Sequence, residues 1–519
     1  MAIVAGHHDL QKGKLVLLDP KKGDQGTQGM TFLNPKIAGW KGPDREKCSE
    51  RFLPDGSGLQ SAEIPSVPNH GPEWDFFGQT GPQFQYPYPL DARNFVVSFT
   101  QTGCQGGGCF EPPSIQDRFE PRFGIYWMNL NGERELLAYD PATHCSQMIP
   151  VIPRRRPMAR GSVVESEART GFFYVQNLYF GPGLAGVAPG TIQKLRVVGL
   201  EFRAGHCGSN RNGGEAGGAC VQTPIGTNNC CWDVKHVLGE ADVEADGSVC
   251  FECPVRTPVY FQLLDAQGRT VQTMRSWATL QPGERFACLG CHESKAHAGE
   301  TSPQTTLAMK RPPQLLKPMP GTPPHPLVTE ARNAGASQTL DAFMGLQKTR
   351  TLEPDAPVDG FSYRRIIQPI LDRHCVSCHG GDEANPKRDA QGRFNLTAER
   401  IDPTDQQYAR RAFTRSYQTL THGGKMTQMV NWFHPQGRPQ MLPPYSAGST
   451  QSQIMNYLES SHYGVQVSDS EKRLFACWID LGVPFCGSYP EANLWTDAQK
   501  KGYEAYQKKR AHFAAEELP

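Results

Sequence analysis

The stretch EADGSVCFECPVRTPVYFQLLDAQGRTVQTMRSWATLQPGERFACLGCH, from Glu244 to His292, decides how the chain is read. Asp246-Gly247 and Asp265-Ala266-Gln267-Gly268 are turn sequences, and the runs between them are rich in Val, Phe, Tyr and Thr, the composition of short strands. The stretch ends in a C-x-x-C-H motif, Cys288, Cys291 and His292. A second copy, DRHCVSCHGG, supplies Cys375, Cys378 and His379. At this cysteine and histidine content, chance gives roughly 0.01 such motifs in a chain of this length, so two are not accidental. Two thiols separated by two residues reach both vinyl groups of one haem from a single short turn, and the next His is placed on the iron. The sequence therefore predicts two covalently bound c-type haems, on Cys288, Cys291 and His292 and on Cys375, Cys378 and His379.

The sixth iron ligand separates an electron carrier from a site that binds a small molecule. For the second haem, Met441 in RPQMLPPYSAG has the Met-x-Pro setting of a cytochrome c ligand loop, and His434, His422 and His462 are weaker alternatives. For the first haem, His297 is too near His292 to reach the opposite face of one porphyrin. Met274 and Met309 sit in a strand-like run and in a proline-rich stretch. An open position at the first iron is the resulting expectation, with His292 as the candidate reactive site.

Outward from these motifs the chain divides. Short strand-like runs separated by Gly/Pro/Asn loops fill residues 1–236, among them GKLVLLDPKKG, ARNFVVSFTQTG, FGIYWMNLNGERELLAYDP and TGFFYVQNLYFG. Asn131-Gly132 is a hairpin signal, and strand, turn, strand with an Asp-Pro exit is how a propeller blade reads, so this part is expected to be β-propeller-like and N-terminally incomplete. A β-sandwich is the other reading. Residues 237–302 form a β middle domain with the first motif. Residues 303–326 hold eight prolines, which rules out a helix or central strand, so 303–360 reads as a semi-rigid linker. Residues 361–490 read as a mostly helical cytochrome c-like domain: Ile366, Ile367, Ile370 and Leu371 form an apolar face before Cys375. Ser468 and Glu471 cap a helix striped by Leu474, Trp478 and Leu481. A charged helical tail, 491–519, ends a fold class that is multidomain and mainly β, followed by a mostly α domain.

Lys plus Arg is 53 against 52 Asp plus Glu, which gives no reason to expect nucleic acid or an anionic membrane as partner. No run is long and apolar enough for a transmembrane helix. Twelve of the 16 cysteines lie outside the motifs, a number that points to an oxidising compartment and disulfides. Cys104 with Cys109, Cys207 with Cys220, Cys230 with Cys231 and Cys477 with Cys486 read as loop staples, while Cys250 and Cys253 are expected to pair with distant cysteines. Haem attachment implies export to the periplasm or a similar compartment. The opening MAIVAGHHDLQKGK lacks the parts of a signal peptide, so the natural N-terminus is expected to lie upstream.

The residues VKHVLGEADVEADGSVCFECPVRTPVYFQLLDAQGRTVQTMRSWATLQPGERFACLGCHE resemble the middle domain of the hydrazine synthase alpha subunit family. IIQPILDRHCVSCHGG, LPPYSAGS, WIDLG, GHHDLQKGKLVLLDPKKG and FGIYWMNLNGERELL extend the likeness over nearly the whole chain. The resemblance implies a propeller, a middle domain with a catalytic haem and a C-terminal domain with an electron-transfer haem. It implies a bis-histidine second haem whose distal ligand comes from the propeller, at His7 or His8, in competition with Met441. In the family a tyrosine four residues after the first motif His takes the iron while that His binds zinc with a propeller cysteine. Here that residue is Ala296, which favours ordinary His292 ligation. The reading is a redox enzyme acting on a small, for instance nitrogen-containing, substrate at the first haem. The second haem exchanges electrons with a partner cytochrome or other subunits of a complex. A pure electron-transfer cytochrome and a propeller-based interaction scaffold are the rival readings.

Overall fold

The computed structural model describes residues 2–5, 12–22, 29–33, 66–67, 71–72, 83–100, 122–200 with gaps between 154 and 163, 234–293 except 275, 305–324, 360–380, 394–401, 413–421, 429–430, 442–488, 491 and 497–516. They fall into two compact units, one of residues 1–159 with 436–441 and one of residues 160–435 with 442–519.

The first unit is built of antiparallel meanders. Strands β1 (Ala2–Ala5), β2 (Lys14–Leu18) and β3 (Met30–Leu33) form one sheet, and β4 (Gln83–Pro89), β5 (Asn94–Thr100), β6 (Gly124–Asn129) and β7 (Arg134–Ala138) form another in sequential order. Leu15 and Leu33 of the first sheet and Phe84, Phe95, Val97, Phe99 and Met128 of the second share one core. The β6–β7 hairpin turns at Asn131-Gly132 as its sequence indicates. The Asn129 side-chain oxygen accepts from the backbone N–H of Asn131 and Glu133, and Gly132 takes a φ of 80°, which a side chain disfavours.

The second unit has three layers. Strands β8 (Thr170–Val175), β11 (Val249–Pro254) and β14 (Arg285–Cys288) make a sheet in the order β11-β8-β14. Strands β9 (Lys194–Leu200), β10 (Lys235–Asp242), β12 (Val259–Leu264) and β13 (Thr270–Thr273) make a second in the order β10-β9-β12-β13. The two sheets face each other across Phe173, Val175, Leu195, Val197, Phe251, Phe261 and Leu263. The Phe173 ring meets Phe261 edge-on at 4.9 Å between centroids, and Phe251 meets Phe261 at 5.5 Å.

The other face of the four-stranded sheet, through Val198, Leu200, Val237 and Tyr260, is covered by helices. These are α1 (Gln368–His374), α2 (Val376–His379), α3 (Arg415–Thr421), α4 (Gln453–Glu459) and α5 (Asp469–Asp480). A sheet buried on both faces needs apolar residues at nearly every position, which is why β9, β10 and β12 show no clean alternation. α5 starts at the capping box of Ser468 and Glu471. Its Trp478 is fully buried against Tyr363 and Tyr417, with the indole N–H on the Pro484 carbonyl at 3.1 Å. A last helix, α6, spans Asp497–Glu516.

Three expectations need revision. Strands β8 and β9, placed by sequence in the region 1–236, pair with β11, β14, β10 and β12 and so belong to the middle β body. The pairing is non-local, and sequence pattern alone does not reveal it. The proline-rich stretch is not a spacer where it is described. Between 305 and 324 it lies along the open edges of both sheets, with Lys317 and Glu240 exchanging backbone hydrogen bonds at 2.8 and 2.9 Å. Glu252 N–H donates to the Gln314 carbonyl at 2.9 Å. Prolines suit an edge, where one side of the chain needs no ladder partner. Gly239, at φ 144°, lets this segment approach, since a Cβ there would lie 2.7 Å from the Lys317 carbonyl. Finally, Cys477 and Cys486 are buried in the helix-facing core, and no disulfide joins them. Cys250 and Cys253 likewise form no bridge among the described residues and lie on opposite faces of β11: Cys253 enters the inter-sheet core and Cys250 packs against Tyr174 and Ala308. Cys104, Cys109, Cys207, Cys220, Cys230 and Cys231 lie outside the described residues.

Candidate functional site

The two C-x-x-C-H motifs sit in the same unit on different scaffolds. The first leaves the end of β14. β14 runs parallel to β8 with Val175 opposite Cys288, and the next residues continue the pairing as Gln176 N–H donates to Cys288 O and Asn177 N–H to Leu289 O, both at 3.0 Å. The loop is then clamped: Cys291 N–H donates to Phe180 O at 2.9 Å and Gly183 N–H to Cys291 O at 3.0 Å. Glu293 closes it by accepting from Leu289 N–H at 2.9 Å. The fit around Cys291 needs a glycine, because a Cβ on Gly183 would lie 2.5 Å from the Cys291 sulfur. Both thiols rest against the inter-sheet core. Burial, with the nearby Glu293 carboxylate, pushes Cys288 up to about 11 and Cys291 up to about 12. His292 is exposed and takes a φ of 60°, a left-handed conformation that carries strain for a non-glycine residue.

The second motif is a helical turn. Cys375 N–H bonds to Leu371 O at the end of α1, and Cys378 and His379 N–H both return to Cys375 O at 3.1 and 2.9 Å. Burial pushes the Cys375 thiol up to about 11. The turn is tied to α5 by Glu471, which accepts from Arg373 at 2.7 Å and lies 3.3 Å from His374. His379 meets Phe394 edge-on at 4.9 Å. Its ring is nearly parallel to that of His462, 17° between planes and 6.3 Å between centroids.

A c-type haem requires two thiols and an imidazole presented by one short turn at the border of an apolar core. The second motif meets that requirement with its thiols and imidazole on one turn of backbone. The first brings its thiols to a core edge and holds His292 outward on a fixed loop, which also fits. His7, His8, Met441, His297, His422, His434 and Ala296 lie outside the described residues, so among the predicted distal ligands only His462 is placed. Among the described residues no group of three or more His, Cys, Asp or Glu is arranged to hold a metal ion. A cavity of about 50 Å³ lined by Gln272, Leu442, Ser446 and Asp480 has room for water rather than for a haem.

Sequence reasoning did not find the polar network that joins sheet to helix. Arg196 is fully buried on β9 and donates to Glu240 at 3.3 Å and to Gln262 at 3.3 Å. The Gln262 amide donates to the Asp480 carbonyl at 2.6 Å. Asp480, whose carboxyl burial pushes up, accepts from Thr270 N–H, Ser449 N–H and the Ser449 hydroxyl. A lone Arg within the apolar run KLRVVGL was the available signal.

Fold and loops together define a multidomain, mainly β chain that carries two C-x-x-C-H loops on one three-layer body. Residues 190–293, which include the whole first motif, match the family model of the hydrazine synthase alpha subunit middle domain. The hydrazine synthase subunit alpha of Kuenenia stuttgartiensis is 22% identical over 375 residues, covering 60% of this chain and 42% of that protein. The chain thus spans less than half the length of that relative. The solved hydrazine synthase of Kuenenia stuttgartiensis aligns at 18% identity with a TM-score of 0.49, over 92% of this chain and 59% of that one. Residues 190–293 are thus similar to a hydrazine synthase alpha subunit middle domain, and the wider likeness to subunit alpha extends over 60% of the chain at 22% identity.

Proposed function

We propose that the chain is a dihaem c-type cytochrome acting as a redox enzyme on a small nitrogen compound, with Cys288, Cys291 and His292 holding the reactive haem and Cys375, Cys378 and His379 the electron-transfer haem. The observation that carries this reading is the position of the first motif inside the matched middle domain, on a loop clamped by Phe180 and Gly183. Each haem, when bound, supplies an iron that exchanges one electron and, where a coordination position stays open, takes up a small ligand.

The chain's own residues do the rest. The β14 loop fixes the direction of both thiols, and the inter-sheet core keeps water from their inner side. Glu293 locks the loop and places a carboxylate beside the site, while the exposed His292 leaves its approach open. Ala296 offers no side-chain ligand, so His292 is the residue of this stretch that would hold an iron. The propeller-like reading of the N-terminal meanders and a cytochrome c-like character for the helical layer belong to the same proposal. So do export to an extracytoplasmic compartment and association with further subunits or a partner cytochrome. The relative's name, subunit alpha, supports partners of that kind. Among the described residues no helix is long and apolar enough to cross a membrane.

The test is ligand binding to the fully reduced protein. Carbon monoxide or nitric oxide should shift the spectrum of one haem and leave the other unchanged, and Cys288→Ala should abolish the shift. If neither haem takes up either gas, the chain is an electron carrier and the enzyme reading fails.

A further inference from the structure

We propose that His462 is the distal ligand of the iron held by Cys375, Cys378 and His379, so that both axial imidazoles of the second haem come from the same helical layer. The inference rests on haem attachment at that motif, as argued above, and goes beyond it by naming the opposing ligand.

Three observations carry it. The first is separation. A metal–imidazole nitrogen bond is about 2 Å and a ring nitrogen lies roughly 1.1 Å from the ring centre, so two imidazoles on one metal have centres roughly 6.2 Å apart. His379 and His462 stand 6.3 Å apart, with planes 17° from parallel. The second is the backbone that presents His462. It follows α4 in a single short turn flanked by Ser461 at φ 49°, ψ 49° and Tyr463 at φ 48°, ψ 35°, both left-handed and neither a glycine. Such conformations persist where the surroundings fix them, and they gather at ligand clamps. The turn is closed by Gly464 N–H on Ser461 O at 2.9 Å and Val465 N–H on His462 O at 3.0 Å.

The third is the surface around the ring. Tyr457 and Tyr463 meet the His462 imidazole edge-on at 5.0 and 4.7 Å, which fixes its plane from two sides. Tyr463 nevertheless remains 76% exposed. Aromatic rings bracketing an imidazole while facing outward form a border that a flat apolar group covers. His379, for its part, is held by Phe394. Both imidazoles are therefore oriented by aromatic neighbours before any iron arrives.

The assignment differs from what the family resemblance implies, a ligand from the N-terminal region at His7 or His8, and from Met441. The experiment uses the full chain with Cys288→Ala and Cys291→Ala, leaving one attachment site, produced with haem-attachment machinery. The oxidised parent protein should be low-spin, with the rhombic electron paramagnetic resonance signal of near-parallel imidazole planes, and its reduced form should not bind carbon monoxide. His462→Ala should turn the haem high-spin and let carbon monoxide bind, and added imidazole should restore the low-spin spectrum. His462→Met should introduce a methionine–iron charge-transfer band and raise the midpoint potential. It also serves if the alanine variant does not fold. The assignment is overturned if both variants keep the parent spectrum, if the parent is already high-spin, or if substitution of Met441, His7 or His8 removes the low-spin form instead. Absence of covalent haem in the parent, read by the pyridine haemochrome assay, would sink the dihaem reading itself, whereas bound haem with an unchanged His462→Ala spectrum sinks only this assignment.

Discussion

Arg473 on α5 donates to both carboxylate oxygens of Glu240 on β10, at 3.0 and 3.3 Å. Glu240 is 3% exposed and also receives Arg196 at 3.3 Å and Lys194 at 3.2 Å, so one carboxylate answers three cations, one of them fully buried. The helical layer and the sheet are thereby joined by charge as well as by apolar contact. Replacing both partners of such a group by apolar residues is often tolerated, but removing one strands the other. Glu240→Gln should therefore cost about 3–5 kcal/mol in a denaturant titration followed by tryptophan fluorescence. A loss below about 1 kcal/mol would mean that the network contributes little. The pH dependence has a definite sign. Burial pushes the Glu240 carboxyl up, but Arg196, Arg473 and Lys194 together hold it below its ordinary value. Its contribution is thus complete above the unfolded carboxyl's range and is lost as pH falls through the lower folded value.

Glu471 acts closer to the second motif. It closes the capping box of α5 with Ser468 and accepts from Arg373, two residues before Cys375. Against the burial that raises it, these hydrogen bonds and that of His374 bring its carboxyl down to about 2 from 4.5. The stabilisation is present above the upper value and disappears between the two as acid is added. Glu471→Ala should lower stability by about 1–2 kcal/mol at neutral pH, chiefly through the cap. It should also flatten the acid limb of the stability curve between pH 4.5 and 2. An acid limb identical to that of the parent protein would show that the carboxylate is not linked to folding.

The proline-rich segment offers a direct contrast between spacer and edge cover. Leu316 and Met319 are 3% and 2% exposed, packed into the inter-sheet core and the helix-facing core respectively. A side chain in a spacer could be truncated at no cost. Leu316→Ala should instead destabilise the chain by about 2–4 kcal/mol, measured by thermal or denaturant unfolding. Unchanged stability would return the segment to the role of a linker.

Local signals in the sequence reported local structure well. Asn131-Gly132 marked its hairpin, Ser468 and Glu471 marked the start of α5, and Leu474, Trp478 and Leu481 marked its buried face. Non-local pairing is where the reading stopped. β8 meets β11 and β14 far along the chain, so Thr170–Val175 looked like one more strand of the preceding region. Proline content was read through its conformational limits, yet those same limits suit a segment laid along two sheet edges. At the candidate site the two C-x-x-C-H motifs stand out in the sequence by their spacing alone. The proximity of His462 to His379 does not, because it depends on left-handed backbone at Ser461 and Tyr463, residue types that carry no such preference.

Gly183 tests whether the clamp on the first loop serves haem attachment. Its missing side chain leaves the space occupied by Cys291: a Cβ there would sit 2.5 Å from the sulfur and 2.7 Å from the carbonyl oxygen, and Gly183 N–H donates to that same carbonyl. The backbone oxygen cannot rotate away as a flexible side chain could, so Gly183→Ala must displace the loop that carries Cys288, Cys291 and His292. The second motif lies on a separate helical turn anchored through Leu371 and Glu471, and the substitution leaves those contacts alone. The expected outcome is selective. On the dihaem reading proposed above, haem content should fall from two per chain towards one, and the spectrum of the remaining haem should match that of the Cys288→Ala, Cys291→Ala protein. Full loading of both sites in the alanine variant would show that the loop tolerates displacement and that its tight fit is not needed for attachment.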